Sequence, residues 1–189
     1  MEQEGLLRAL IRESLLLESE RLVPIGDVIE AVDNAIRPGR LNIDIPGFRD
    51  LLIEIAVVET GIRDGGKLVL RDEHGGGIQG VFQLSPIALR QLREPSAVPQ
   101  TKDRFNKSGA SYKPWEKQTD SDIFGNLKMQ AIAACMYALW IYHNLADGAS
   151  LNTVAQRAAF WDRYYNTEKD KEGTAALYIK RVKELLGSM

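Results

Sequence analysis

Ile53-Glu54-Ile55-Ala56-Val57-Val58-Glu59-Thr60-Gly61 is followed, after a polar and glycine-rich interval, by Gly80-Val81-Phe82-Gln83-Leu84-Ser85-Pro86. The first run reads as the end of an apolar helix. Phe48, Leu51, Leu52, Ile55, Ala56 and Val58 recur at helical spacing, and Gly61 is a natural terminator. The second run reads as a tight turn that launches a short helix at Pro86. Glu59 therefore sits at a helix C-terminus, behind an apolar face and opposite a Gly-Gln turn. Desolvation and the negative end of the helix dipole both disfavour a charged carboxyl there. A carboxyl kept protonated near neutral pH can donate to a leaving oxygen, as glycoside cleavage requires. Such cleavage usually engages a second carboxylate at a defined separation. Asp64, Asp72 and Glu73 lie in the following loop, and the sequence does not fix their distance from Glu59. Taken alone, a glutamate at this position is more often simply a solvated helix end.

Outward from this stretch, the chain divides into elements. Leu6, Leu7, Leu10, Ile11 and Leu15 predict an amphipathic helix over residues 5–21, suited to packing on its own domain or to docking a partner. A short helix is expected over 27–37 with Asp27 as N-cap, ended by Pro38-Gly39. Leu41–Ile45 alternates and reads as a brief strand or linker, and Lys67–Arg71 as a strand of a small β element. Residues 93–122 are polar and proline-punctuated, which predicts a long lid or surface insertion. Trp115 within it is expected to anchor that segment to the core rather than to stack on a sugar. Apolar helices follow over Asn126–Leu145 and Leu151–Tyr165, then a charged turn over Asn166–Gly173 and a closing amphipathic helix over Thr174–Leu186. The expected fold class is mainly α (α+β), with residues 1–44 as an N-terminal helical segment and 45–189 as the main domain.

Composition bounds the function. A chain of 189 residues with 44% apolar and 26% charged content can build a core. A formal net charge of −2 gives no basic excess for a nucleic-acid partner. Cys135 is the single cysteine and sits in an apolar run, so a buried, inert thiol is expected. His74 and His143 are far apart and outside any metal-ligand pattern, so neither metal nor cofactor is expected. Met129–Ala146 is the most apolar window, but Gln130, Tyr137, Tyr142, His143 and Asn144 interrupt it. It reads as a buried central helix, not a membrane span. The N-terminus lacks the basic start and uninterrupted apolar run of a secretory signal.

Glu59-Thr60-Gly61 followed by Gly80-Val81-Phe82-Gln83-Leu84-Ser85-Pro86 resembles the soluble lytic transglycosylases and goose-type lysozymes. Their signature is a Glu-Ser-Gly helix end and then Gly-Leu-Met-Gln-Leu-Met-Pro. Asn126-Leu127 is similar to the Asn-Ile that opens a family helix, Tyr164-Tyr165-Asn166 to the family's Ala-Tyr-Asn, and Gly173–Val182 to its closing Glu-Thr-x-x-Tyr-Val segment. The ordered set covers roughly residues 45–185. It implies a lysozyme-like helical domain that cleaves the MurNAc-GlcNAc β-1,4 bond of peptidoglycan. Glu59 would be the acid/base and Tyr165 would hydrogen-bond near its carboxylate. Gln83, with Gly80, Phe82 and Ser85 of the same turn, would line the sugar groove, and Asn166 would support the site. In this family one carboxyl suffices, because it can activate the sugar's own 6-hydroxyl and give a 1,6-anhydro product. The chain departs from the pattern at Thr60, at Thr167-Glu168 after Tyr-Asn, at Gly173 and in the long 93–122 segment.

The resemblance extends to phage-encoded relatives. It implies a component of a tailed-bacteriophage virion that acts at the host cell wall, with the N-terminal helix docking to other virion proteins. The competing expectation is a structural tail or baseplate protein that keeps the fold without catalysis. A chitinase- or chitosanase-like enzyme of the same superfamily is the third.

Overall fold

The computed structural model describes residues 21–63, 67–70, 80–108, 112–166 and 174–188. The helix expected over 5–21 lies outside these residues apart from Arg21, as do Asp64, Asp72, Glu73 and His74 and residues 167–173 of the charged turn.

The chain is mainly helical, with one small antiparallel sheet. Strand β1 (Arg21–Pro24) leads into helix α1 (Ile25–Ile36), and helix α2 (Phe48–Thr60) is followed by strands β2 (Ile62–Arg63) and β3 (Lys67–Leu70). The sheet order is β1-β3-β2, with Val23 opposite Leu68 on one side and Ile62 opposite Leu68 on the other. Then come α3 (Pro86–Arg93), α4 (Pro99–Lys107), a 3-10 turn (Trp115–Lys117), α5 (Asp120–Phe124), α6 (Leu127–Asn144), α7 (Val154–Phe160), a π-turn (Trp161–Tyr165) and α8 (Ala175–Ser188). None of the described helices is long and apolar enough to cross a membrane.

Two helices form the centre. In α2, Leu51 to Val58 are buried without interruption, and in α6 so are Met129 to Met136. Helix α1 packs most extensively on α6 and also on α2, through Val28, Ala31, Val32 and Ala35. Val28, Ala31, Val32, Ala35 and Leu41 thus belong to the same core cluster as α2 and α6. Gly47, at φ +77°, starts α2 directly beneath Leu151, whose carbonyl oxygen would meet an added Cβ at 1.9 Å. Only glycine permits that approach. Cys135 is fully buried, as expected, and burial pushes its thiol well above the ordinary range.

Several boundaries differ from expectation. Helix α1 starts at Ile25 with Pro24 at the N-cap, so Asp27 stands in its first turn and caps nothing. Of the two readings of Leu41–Ile45 the linker holds and the strand does not; Leu41 is buried, and Arg104 donates to the carbonyls of Leu41 and Asn42 at 3.1 and 3.2 Å. The described part of the 93–122 segment holds α4, the 3-10 turn and the start of α5. Trp115 pins it as expected: the indole is buried, lies edge-on to Phe105 and donates from Nε1 to the Leu92 carbonyl at 3.2 Å.

One ion pair crosses the core. Arg157 of α7 donates from Nε and Nη2 to the two carboxylate oxygens of Glu54 in α2, at 2.8 and 2.6 Å, and from Nη1 to the Leu151 carbonyl at 2.9 Å. Tyr178 of α8 donates to Glu54 Oε2 at 2.9 Å. Glu54 and Arg157 are 6% and 5% exposed, so each charge has little water and relies mainly on the other, with Asp50 also 3.9 Å from Arg157 Nη1. The hydrogen bond to Glu54 leads in raising the Arg157 pKa, and burial opposes it. Glu54→Leu alone, or Arg157→Met alone, is expected to destabilise the chain by about 3–5 kcal/mol in denaturant titration, because each strands a buried charge. The double variant is expected to recover most of that loss; a double variant as unstable as the sum of the singles would argue against the pairing.

Candidate functional site

The site begins at the end of α2. Gly61, at φ +75°, turns the chain out of the helix, and its N–H closes the last turn on the Val57 carbonyl at 2.8 Å. Glu59 is left half-buried in that turn. Its Oε1 accepts from the Trp161 indole Nε1 at 2.8 Å. Arg181 of α8 donates from Nη1 to the neighbouring Val58 carbonyl, which places a cation at the negative end of α2.

Trp161 follows directly on α7 in helical conformation, and there the helix changes its winding. Over Trp161–Tyr165 the chain winds wider, and the Asn166 N–H bonds back to the Trp161 carbonyl at 2.8 Å, five residues earlier. Such π-turns are rare and recur at functional sites. Both Trp161 and Tyr165 are buried, and the Trp161 ring packs on Tyr178, the phenol that bonds Glu54. The buried ion pair and the indole–carboxylate bond therefore meet on adjacent rings.

Tyr165 donates its hydroxyl to the Phe82 carbonyl at 3.1 Å. Burial first, and the nearby Glu59 carboxylate second, hold this phenol well above the ordinary tyrosine range, so it stays a neutral donor. The Phe82 carbonyl is presented by a turn with two residues in the left-handed region, Gly80 at φ +81° and Gln83 at φ +47°. Gln130 of α6 clamps that turn: its Oε1 accepts from the Val81 N–H at 3.0 Å and its Nε2 donates to the Phe124 carbonyl at 2.9 Å. A Cβ at residue 80 would fall 2.3 Å from Gln130 Oε1, so the clamp requires glycine there.

Tyr165 thus bonds the Phe82 backbone, and the Glu59 carboxylate contributes to its raised pKa. The Phe82 side chain is buried in the core, so only its backbone faces the site. The Gln83 Nε2 donates at 2.8 Å to the Gly80 carbonyl of its own turn. Ser85 accepts from the Ala88 N–H at 3.1 Å and caps α3. Asn166 is half-buried directly after the π-turn. The Thr60 hydroxyl turns back to the Ala56 carbonyl. Trp161 and Gln130 were not singled out from sequence; the only signals were an indole four residues before Tyr165 and a lone amide inside an apolar run. Among the described residues no group of three or more His, Cys, Asp or Glu side chains is placed to hold a metal ion.

Comparison of this chain with family models, with curated proteins and with solved structures returns no match. What the fold and the site define is a mainly helical domain holding a carboxylate between an indole donor and a neutral phenol.

Gln130→Leu leaves the Val81 N–H and the Phe124 carbonyl without their partner. It is expected to cost about 1–3 kcal/mol in denaturant unfolding. Trp161→Phe preserves the packing on Tyr178 and removes the donor to Glu59. About 1 kcal/mol of destabilisation is expected from it, since hydrogen bonds to charged groups contribute roughly 1.5–3 kcal/mol when fully buried and less at a half-buried carboxylate. An unchanged midpoint for Trp161→Phe would show that the indole–carboxylate bond contributes nothing in solution.

Proposed function

We propose that this chain cleaves the MurNAc-GlcNAc β-1,4 bond of peptidoglycan, with Glu59 as general acid/base and no metal or cofactor. The observation that carries the reading is the convergence on Glu59 of Trp161 Nε1 at 2.8 Å and of the neutral phenol Tyr165, which is fixed by the Phe82 carbonyl. Residues of two sequence motifs far apart in the chain, Glu-Thr-Gly and Tyr-Tyr-Asn, contribute to this cluster, which supports the reading. In this reading Glu59 protonates the glycosidic oxygen and then, as a carboxylate, takes a proton from the attacking hydroxyl. Trp161 holds one carboxylate oxygen in place through both steps. Tyr165 keeps Glu59 and the Gly80–Gln83 turn in register without itself exchanging a proton.

The competing reading, a structural protein that keeps the fold without catalysis, is favoured by one observation. The Gln83 amide and the Thr60 hydroxyl both bond within their own backbone segments. Digestion of purified peptidoglycan, with products read by mass spectrometry, separates the two. The wild type is expected to release anhydro-muropeptides, and Glu59→Gln to lose about 10²–10⁴-fold of the rate, the usual contribution of a general acid. Equal rates in both proteins would remove Glu59 from the mechanism. No products from folded wild type would leave the structural reading standing.

A further inference from the structure

Helices α1, α2, α7 and α8 leave a cleft of about 260 Å³ between them, beside the first half of α2 and away from Glu59. Its walls are aliphatic: Ile29 of α1, Ile53 of α2, Val154 of α7, and Val182, Leu185 and Leu186 of α8. Ile53, Val182 and Leu185 are buried, Ile29 and Val154 are half-buried, and Leu186 is 63% exposed. An apolar cavity of about 150 Å³ holds a benzene molecule, so this cleft has room for a chain of about six carbons. Such a chain would also take part of Leu186 out of water, which favours its entry.

The cleft has a polar side as well. Glu54 and Arg157 line it together with Arg49 and Asp50. Arg157 spends Nε and one N–H of Nη2 on Glu54, and one N–H of Nη1 on the Leu151 carbonyl. Nη1 carries a second N–H, and Asp50 Oδ2 stands 3.9 Å from that nitrogen. Asp50 Oδ1 stands likewise 3.7 Å from Arg49 Nη1, while the Nε and Nη2 of Arg49 are taken by Asp33 at 2.6 and 3.0 Å. Gaps of this size are too long for a direct hydrogen bond, and one bridging oxygen spans them. A ligand hydroxyl has the right chemistry, since it accepts from the Arg157 Nη1 and donates to the Asp50 carboxylate. A charged head has the wrong chemistry. Asp33, Arg49, Asp50, Arg157 and Glu54 alternate in sign along this row, which sets a cation against guanidinium groups and an anion against carboxylates.

We propose that this cleft is a second binding site and takes an uncharged aliphatic alcohol. The chain lies among the six aliphatic side chains, and the hydroxyl bridges Arg157 Nη1 and Asp50. The site is separate from Glu59 and does not depend on the glycosidase reading.

The test titrates the full chain, labelled at its Ile, Leu and Val methyl groups, with 1-hexanol and follows the methyl NMR spectrum. Saturable shifts are expected at Ile29, Ile53, Val154, Val182, Leu185 and Leu186. Hexanoate and hexylammonium, which have the same chain with a charged head, are expected to bind at least about fivefold more weakly. Asp50→Ala, at a half-exposed position, is expected to weaken 1-hexanol about threefold to tenfold, the loss of one hydrogen bond. Val154→Phe fills the cleft from its edge and is expected to abolish the saturable shifts. Matching circular dichroism and thermal midpoints establish that both variants are folded. Should Val154→Phe fail to fold, Asp50→Ala and the two charged analogues decide the matter. Shifts that do not saturate, or that spread over the core instead of these methyls, overturn the site. Hexanoate or hexylammonium binding as tightly as 1-hexanol overturns it too, as does undiminished binding to Asp50→Ala.

Discussion

Two charges almost wholly buried set the arrangement of this protein. Glu54 and Arg157 lie on helices more than a hundred residues apart in the chain, and each is the other's principal partner. The guanidinium fork fixes orientation as well as distance, since two parallel N–H bonds define a plane. Tyr178 adds a third helix to the same carboxylate. Helices α2, α7 and α8 are thereby locked at the level from which the carboxylate site is built. Trp161 begins one turn beyond Arg157 and Glu59 lies little more than one turn beyond Glu54, so the indole–carboxylate bond repeats, nearer the surface, the pairing made in the core.

The other half of the site depends on backbone, not on charge. Gln130 holds the Gly80–Gln83 turn through one accepted and one donated hydrogen bond, and the turn answers with a glycine where a side chain would strike the amide. Phe82 and Leu84 sink into the core on either side of Gln83, which fixes the direction of the Phe82 carbonyl. Tyr165 then connects this turn to the π-turn. Each contact is modest, and together they bring residues from three distant stretches to one carboxyl group.

Much of the fold was legible because it follows from periodicity. The end of α2 at Gly61, the start of α3 at Pro86 and the extent of α6 follow from apolar spacing and from terminators. The anchoring role of Trp115 also emerged from the sequence. Strand β1 did not, because Arg21–Pro24 is four residues long and is defined by its distant partner Lys67–Leu70. The helices within 93–122 are short and their apolar residues sparse, so composition suggested a loop; Thr119 and Asp122 cap α5 reciprocally, a local signal that polarity concealed. At the candidate site, Glu59 and Tyr165 were proposed through motif order. Trp161 escaped because an indole at helical spacing looks like any core residue, and its polar edge matters only once Glu59 is opposite. Glu54 escaped for a related reason: within an apolar run its carboxylate has no visible partner until the fold supplies Arg157.

The π-turn has a consequence for how this chain tolerates change in length. A helix advances about 100° per residue, so one extra residue accommodated in a widened turn is a phase shift applied to everything after it. Trp161 stands before the shift and Tyr165 after it. The indole is aligned with the carboxylate by the phase of α7, and the phenol is aligned with the Phe82 carbonyl by the altered phase that follows. Substitutions within Trp161–Tyr165 change chemistry at one position, whereas a one-residue deletion there would rotate Tyr165 away from its acceptor while leaving every side chain's identity intact. The spacing between these two aromatic residues is thus as much a part of the site as the residues themselves.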